Sequence, residues 1–289
     1  MRGSKGRIKY FLILPSLLPL LFLTLYPTIF AYYLSIHKIT IRTFHNPEFT
    51  GVTNFINVAV NYQFWYSVGF TALYSAIVTP IEIALGLLLA ILLNREIYGR
   101  RIIITLMLTP LAIAPSLMAI MMKLMFNEFV GLVPYILRYI GVNHNFFRDF
   151  NSSFITLIIT DILQWTPFVF IIAYSGLQAL PREPYEAALI DGADSKRIFR
   201  HITLPLLKPL LLLVSVLRFM DAYKLFEYVH IMTGGGPGFS TTTSTLFTYR
   251  VGFIHGDFGL AAATTLFLFY ITMVSATIGL RILNKVRII

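Results

Sequence analysis

The sequence predicts an all-α polytopic membrane protein with six transmembrane helices, and three features carry that expectation. Charge is scarce: 12% of the 289 residues are charged against 57% hydrophobic, where a soluble domain carries about a quarter charged residues. So little charge cannot cover a water-exposed surface, but it suits flanks that face lipid. The apolar residues gather in six blocks, each long enough to supply the ~20 helical residues that a bilayer core requires. Lys and Arg concentrate in alternate connections between those blocks, as in loops retained on the cytoplasmic side.

The blocks are Tyr10–Ile36, Trp65–Leu93, Ile102–Met125, Ser153–Gln178, Leu206–Met232 and Leu260–Leu283. The first is too long for a cleaved signal core and no small-x-small site follows it, so it reads as a retained helix. Pro80 lies in the second block, Pro110 and Pro115 in the third and Pro167 in the fourth. Within a bilayer such kinks are tolerated where neighbouring groups re-satisfy the backbone. The fifth block carries most of the intramembrane charge, and the sixth runs into a basic C-terminus.

Fifteen of the 23 Lys and Arg residues lie at the two termini and in the connections Arg95–Arg101 and Arg182–Lys208. The N-terminal set is Arg2, Lys5, Arg7 and Lys9; the alternate connections carry only five. This bias places both termini in the cytoplasm. The formal charge of +10 is therefore topological, and nucleic acid is excluded as a partner while membrane lipid is implied. The chain divides into a cytoplasmic N-terminus, residues 1–9, and a single transmembrane domain, residues 10–289, with a polar cytoplasmic loop at 181–205. The outward connections Lys38–Phe64, Phe126–Ser152 and Thr233–Gly259 are too short for a separate domain. Cysteine is absent and the six histidines are scattered, so no metal site is expected. The glycine-rich Gly234–Gly238 stretch reads as an external turn and not a phosphate cradle, since Pro237 has no N–H and no lysine follows.

The loop at 181–205 is the most informative stretch. Pro184 suits a first helical turn, Glu183 and Glu186 complement the dipole there, and Gly192 suits a left-handed helix end. Asp194 or Ser195 then caps a second short helix, which Pro205 is expected to close. Two short helices lying along the membrane surface make a shallow knob. On physics alone, an amphipathic anchor for the loop explains it equally well.

Ionisable residues inside spans often mark a pathway; here they are Glu82, Asp161, Arg218, Asp221, Lys224 and Glu227. Glu82 reads as salt-bridge glue between helices. The strip 218, 221, 224, 227 follows one broad helix face, with Arg218/Asp221 and Lys224/Glu227 as opposite-sign pairs. It reads equally as pathway or as packing.

The order Glu186-Ala187-Ala188, three residues, Gly192, nine residues, Ile202-Thr203-Leu204-Pro205 resembles the EAA loop of binding-protein-dependent ABC importer permeases. The flanking Ala179-Leu180-Pro181, Leu206-Leu207-Lys208-Pro209 and Thr233–Gly238 segments, the last followed by a Ser/Thr run, resemble the carbohydrate branch. The resemblance implies the six-helix type I importer permease fold, acting as a permease subunit that moves a sugar, oligosaccharide, polyol or sugar phosphate. It implies a coupling surface for a cytoplasmic ATPase at Glu186, Ala187, Ala188, Asp191, Gly192, Ile202, Leu204 and Pro205. In maltose permeases the sugar lies between the spans before and after this loop. The matching positions are Asp161, Gln164, Trp165 and Phe168, then Arg218, Ala222 and Leu225, with Ala112 and Ser116 on the third span; Asp221 joins this pathway set as an intramembrane acid. Asp161, Gln164 and Trp165 combine acceptors, a donor and a ring face, which suits a hydroxylated ring. A buried polar cluster that packs helices is the other reading. Arg218 and Lys224 leave an anionic saccharide open.

The implied partners are two ATP-binding cassette subunits, a second homologous permease and an extracytoplasmic solute-binding protein. The chain lacks a G-x-x-x-x-G-K-[ST] phosphate loop, so ATP and Mg are expected in the partner ATPase and no cofactor or catalysis here. The competing function is an ion-gradient-driven secondary carrier, with Asp161, Asp221 and Glu227 as its ion groups.

Overall fold

The computed structural model describes residues 4–95 and 97–287; the predicted N-terminal charge at Arg2 lies outside the described residues. Twelve α-helices are formed among the described residues. In order they are α1 Ser4–Ser35, α2 Thr53–Val60, α3 Tyr62–Leu93, α4 Arg100–Leu108, α5 Pro115–Met125, α6 Leu132–Tyr139, α7 Phe150–Gln178, α8 Glu183–Ile190, α9 Ser195–Ile198, α10 Leu204–Ala222, α11 Ser244–Tyr249 and α12 Phe258–Arg287. Five helical runs are long and apolar enough to cross a bilayer: Leu17–Ser35, Tyr62–Leu93, Phe150–Gln178, Ser195–Ala222 and Phe258–Gly279. Taken together as one broken span, the pair Arg100–Ala112 and Pro115–Met125, bent by 99°, makes six.

The bend corrects the expectation of one continuous third span. Ile113 and Ala114 are extended, with ψ of 133° and 137°; Pro115 drives Ala114, the residue before it, away from the helical region. Pro115 then re-enters helix in the first turn of α5, where its missing N–H is harmless. The fifth span is also shifted toward the N-terminus relative to the prediction, its helical run being Ser195–Ala222. It ends at Ala222 rather than Met232, and helix resumes in a wide turn at Val229–Thr233. The carbonyl of Leu225, freed by the break, accepts from the Thr245 hydroxyl at 2.5 Å, which satisfies that acceptor.

The contacts divide the chain into two compact units: Met1–Trp65 with Phe247–Ile271, and Tyr66–Leu246 with Thr272–Ile289. In the first, strands β1 (His37–Lys38) and β2 (Glu48–Phe49) pair antiparallel. The Asn54 amide of α2 donates to the Ser35 and His37 carbonyls, both at 2.9 Å.

In the second unit, Ala90 and Leu93 of α3, Phe170 and Ala173 of α7, and Leu207 and Leu211 of α10 form a buried cluster. Gly86 sets the α3–α7 approach. A methyl group there would stand 2.6 Å from Val169 Cγ1 and 2.9 Å from the Phe170 amide nitrogen. Gly86→Ala therefore overpacks a contact that includes rigid backbone and is expected to destabilise the fold by about 1–3 kcal/mol. A lower unfolding midpoint in detergent is the readout, and an unchanged midpoint would mean that the helices separate freely. Asp149 caps α7, accepting from the Ser152 amide at 3.0 Å and its hydroxyl at 2.8 Å. Those bonds hold its carboxyl below the usual range. The cap's contribution is thus present above the unfolded-state pKa and lost as pH falls through the lowered one.

Candidate functional site

Arg218 is the centre of the buried polar residues. It lies on α10 at 1% exposure and donates to three carboxylates. Its Nε and Nη2 clasp Glu82 at 2.6 and 2.9 Å, Nη2 also reaches Asp161 at 2.8 Å, and Nη1 reaches Asp221 at 2.9 Å. Four of its five N–H groups are therefore directed at acids. The guanidinium also lies 4.9 Å from the centroid of the Trp165 ring, within cation–π range. Glu82 thus does join helices, as its sequence context suggests, and α3, α7 and α10 meet at one ion-pair network.

A second layer holds that network in place. The Tyr74 hydroxyl donates to Asp161 Oδ2 at 3.0 Å, so both oxygens of Asp161 are engaged. The Trp165 indole donates to the Tyr228 hydroxyl at 3.1 Å, and Tyr228 donates to Gln164 Oε1. The Gln164 amide donates to the Ile113 carbonyl at 2.6 Å, one of the groups freed by the bend before Pro115. The broken third span thereby supplies a polar partner in a place where an intact helix would present none.

These groups back a cavity of about 300 Å³, whose lining includes Pro115, Asp161, Trp165, Arg218, Asp221, Ala222, Lys224, Leu225, Glu227 and Tyr228. Six of the residues expected on the pathway thus border one space: Asp161, Trp165, Arg218, Asp221, Ala222 and Leu225. Gln164 stands behind the wall, and Phe168 packs edge-on against Trp165 with centroids 6.2 Å apart. Ala112 and Ser116 flank the bend on exposed backbone and do not border this cavity. The four-residue charge strip is not one helix face, since Lys224 lies beyond the end of α10. Arg218 pairs with Asp221, whereas no Lys224–Glu227 ion pair forms among the described residues. Tyr74 and Tyr228 escaped the sequence reading. The available signal was a phenol inside an apolar span, whose hydroxyl needs a buried partner.

The loop at 181–205 folds as two short helices. Helix α8 begins at Glu183 and carries Pro184 and Glu186 in its first turn. It ends at Gly192, φ +71°, with the Gly192 amide bonded to the Leu189 carbonyl and the Ala193 amide to that of Ala188. This is the six-to-one and five-to-two closure of a Schellman end. Asp194 then caps α9 through the Arg197 amide at 2.9 Å.

Pro205 does not close the second helix. It sits in the first turn of α10, and a wide turn at Phe199–Thr203 joins α9 to α10 without a break. The Tyr185 hydroxyl ties the two arms by donating to Thr203 Oγ1 at 3.0 Å. Beside Gly192, Leu189 and Ile190 are 64% and 87% exposed, while Glu186, Ala187 and Asp191 also face outward. Ile202 is half-buried and Leu204 and Pro205 are exposed on the arm that leads into α10.

The glycine-rich segment closes on itself. Thr233 Oγ1 accepts from the Gly235 amide at 3.1 Å, and the Thr241 and Thr242 hydroxyls donate to the Gly236 and Gly235 carbonyls at 2.7 and 3.2 Å. Its polar groups are committed to the turn that the sequence suggests.

Residues 82–288 match the family described as binding-protein-dependent transport system inner membrane component. The chain is 34% identical over 283 residues to the trehalose/maltose transport system permease protein MalF of Thermococcus litoralis, covering 98% of this chain and 95% of that one. It is 31% identical over 242 residues to the sn-glycerol-3-phosphate transport system permease protein UgpA of Agrobacterium fabrum, covering 82% of each. A solved bacterial ABC transporter involved in import of the acidic polysaccharide alginate contains a chain of the same fold, with TM-score 0.83, 21% identity and 99% coverage of both chains. These matches set aside the gradient-driven carrier. The chain belongs to the binding-protein-dependent transport system inner membrane component family, and it is a multi-pass inner-membrane permease subunit of an ABC importer.

Proposed function

We propose that this subunit conducts a carbohydrate-like solute through the space bordered by Trp165, Asp221, Lys224 and Glu227. The observation that carries the proposal is the pairing of an indole face with hydrogen-bonding side chains around one cavity of about 300 Å³. A sugar ring needs an apolar surface for its C–H face and paired partners for its hydroxyls. The carbohydrate names of the relatives support the same class. Trp165→Ala removes the ring face and is expected to lower uptake by about tenfold or more. The test is ATP-dependent uptake of labelled saccharide into proteoliposomes holding the assembled importer. Uptake unchanged by Trp165→Ala would overturn the assignment.

The knob at 181–205 is proposed to seat in a cleft of an ATP-binding cassette subunit, with Leu189 and Ile190 as its apolar tip. Glu186, Ala187, Ala188, Asp191 and Gly192 would face that cleft, and Ile202, Leu204 and Pro205 would form the stem. Two such ATPases carrying ATP and Mg, a second homologous permease and an extracytoplasmic binding protein complete the complex, with both termini of this chain in the cytoplasm. The stem supports this reading, because the helical run Ser195–Ala222 is 28 residues long, a rod of about 42 Å. It leads from the knob to Arg218 and the cavity wall. A push on one end therefore tilts the other, the rigid-body switching that alternating access requires.

A further inference from the structure

We propose that the cavity selects an uncharged saccharide and rejects anionic ones, with Asp221 and Glu227 acting as the filter. The inference rests on the carbohydrate reading of the same cavity and goes beyond it by deciding the charge of the solute.

Recognition of a phosphate or carboxylate needs cationic donors that are free to turn toward it. Arg218 is the deepest cation in the cavity wall, but its N–H groups are committed to Glu82, Asp161 and Asp221 at 2.6–2.9 Å. Its charge is consumed inside the protein. Swinging it toward a solute would strip Glu82 and Asp161, both buried, of the cation that compensates them, which is strongly unfavourable.

Lys224 is the other cation of the lining, and Asp221 and Glu227 border the same space. Asp221 keeps 51% of its side chain exposed, so its carboxylate faces whatever enters. Arg218 is shared among three acids and Lys224 stands beside Glu227, so carboxylates outnumber cations around the cavity and an anion arriving there meets net repulsion at close range. A neutral hydroxylated ring meets the opposite situation. Carboxylates accept from its hydroxyls, Lys224 donates, and the Trp165 face covers its C–H surface.

Equilibrium binding to the purified permease complex, without the extracytoplasmic protein, tests this directly. The probes are radiolabelled maltotriose and glycerol 3-phosphate, with Trp165→Ala as the control that locates the signal in this cavity. Wild-type complex is expected to retain maltotriose and to bind glycerol 3-phosphate about tenfold more weakly or less. In the Asp221→Asn/Glu227→Gln double variant the ratio of anion to neutral binding is expected to rise about tenfold. Glutamine and asparagine keep the hydrogen-bonding shape, so this ratio reports charge rather than fit. Equal binding of the two probes by wild type, or a ratio unmoved in the double variant, overturns the filter while leaving the carbohydrate reading intact. Binding of maltotriose that survives Trp165→Ala overturns the cavity assignment itself, and the filter with it.

Discussion

Replacing Arg218 by methionine is expected to destabilise the folded chain by about 3–5 kcal/mol, the cost of leaving buried carboxylates without their cation. Glu82 and Asp161 are 0% and 1% exposed, and Tyr74 satisfies only one oxygen of the latter. Methionine fills similar volume, so the loss is electrostatic and not a cavity effect. Glu82→Gln in the same chain should recover part of it, because one uncompensated charge is removed. Thermal unfolding of the four members of that cycle gives the coupling energy between two residues 136 positions apart. A midpoint unchanged in Arg218→Met would show that water or another group compensates the acids, and the ion-pair network would then hold nothing together.

Gly192→Val is expected to abolish ATP-driven uptake while the chain still inserts and assembles. With φ at +71°, a β-branched residue is a genuine outlier, and straining this turn re-aims the exposed Leu189 and Ile190. Nothing lies within 4 Å of the position of an added Cβ, so the effect comes from backbone conformation and not from a clash. Asparagine tolerates the left-handed region far better, so Gly192→Asn should keep most of the uptake. The comparison therefore separates geometry from loss of a glycine as such. Full uptake by Gly192→Val, with the ATPase still attached, would remove the knob from the force path.

The spanning segments and the knob were legible because each rests on local composition. A run of apolar residues has one outcome in a bilayer, and Pro184, Gly192 and Asp194 each dictate a local backbone state. The interruptions were harder to place. Pro115 announced a kink, and the backbone at Ile113 and Ala114 is extended, but the amide that takes the freed Ile113 carbonyl belongs to Gln164, 51 positions away. The end of α10 at Ala222 carries no proline or glycine, and the hydroxyl that takes up the Leu225 carbonyl there belongs to Thr245, 20 positions further on.

For the candidate site, the residue types were readable and their assignments were not. Regular spacing of 218, 221, 224 and 227 suggested two neighbouring pairs, yet Arg218 reaches across to Glu82 and Asp161 as well, while Lys224 lies past the helix end. Ion pairing within a helix is worth only a few tenths of a kcal/mol, so tertiary neighbours readily override it.

By itself the sequence determined that this chain crosses a membrane about six times, which connections are basic, and where a glycine-ended knob interrupts them. Those properties follow from transfer of side chains into lipid and from single-residue backbone preferences, and neither needs a fold. Only the tertiary structure decided which acids share Arg218, and therefore which charges still face the cavity. Charges buried far apart in sequence choose partners by distance, and distance exists only once α3, α7 and α10 have come together.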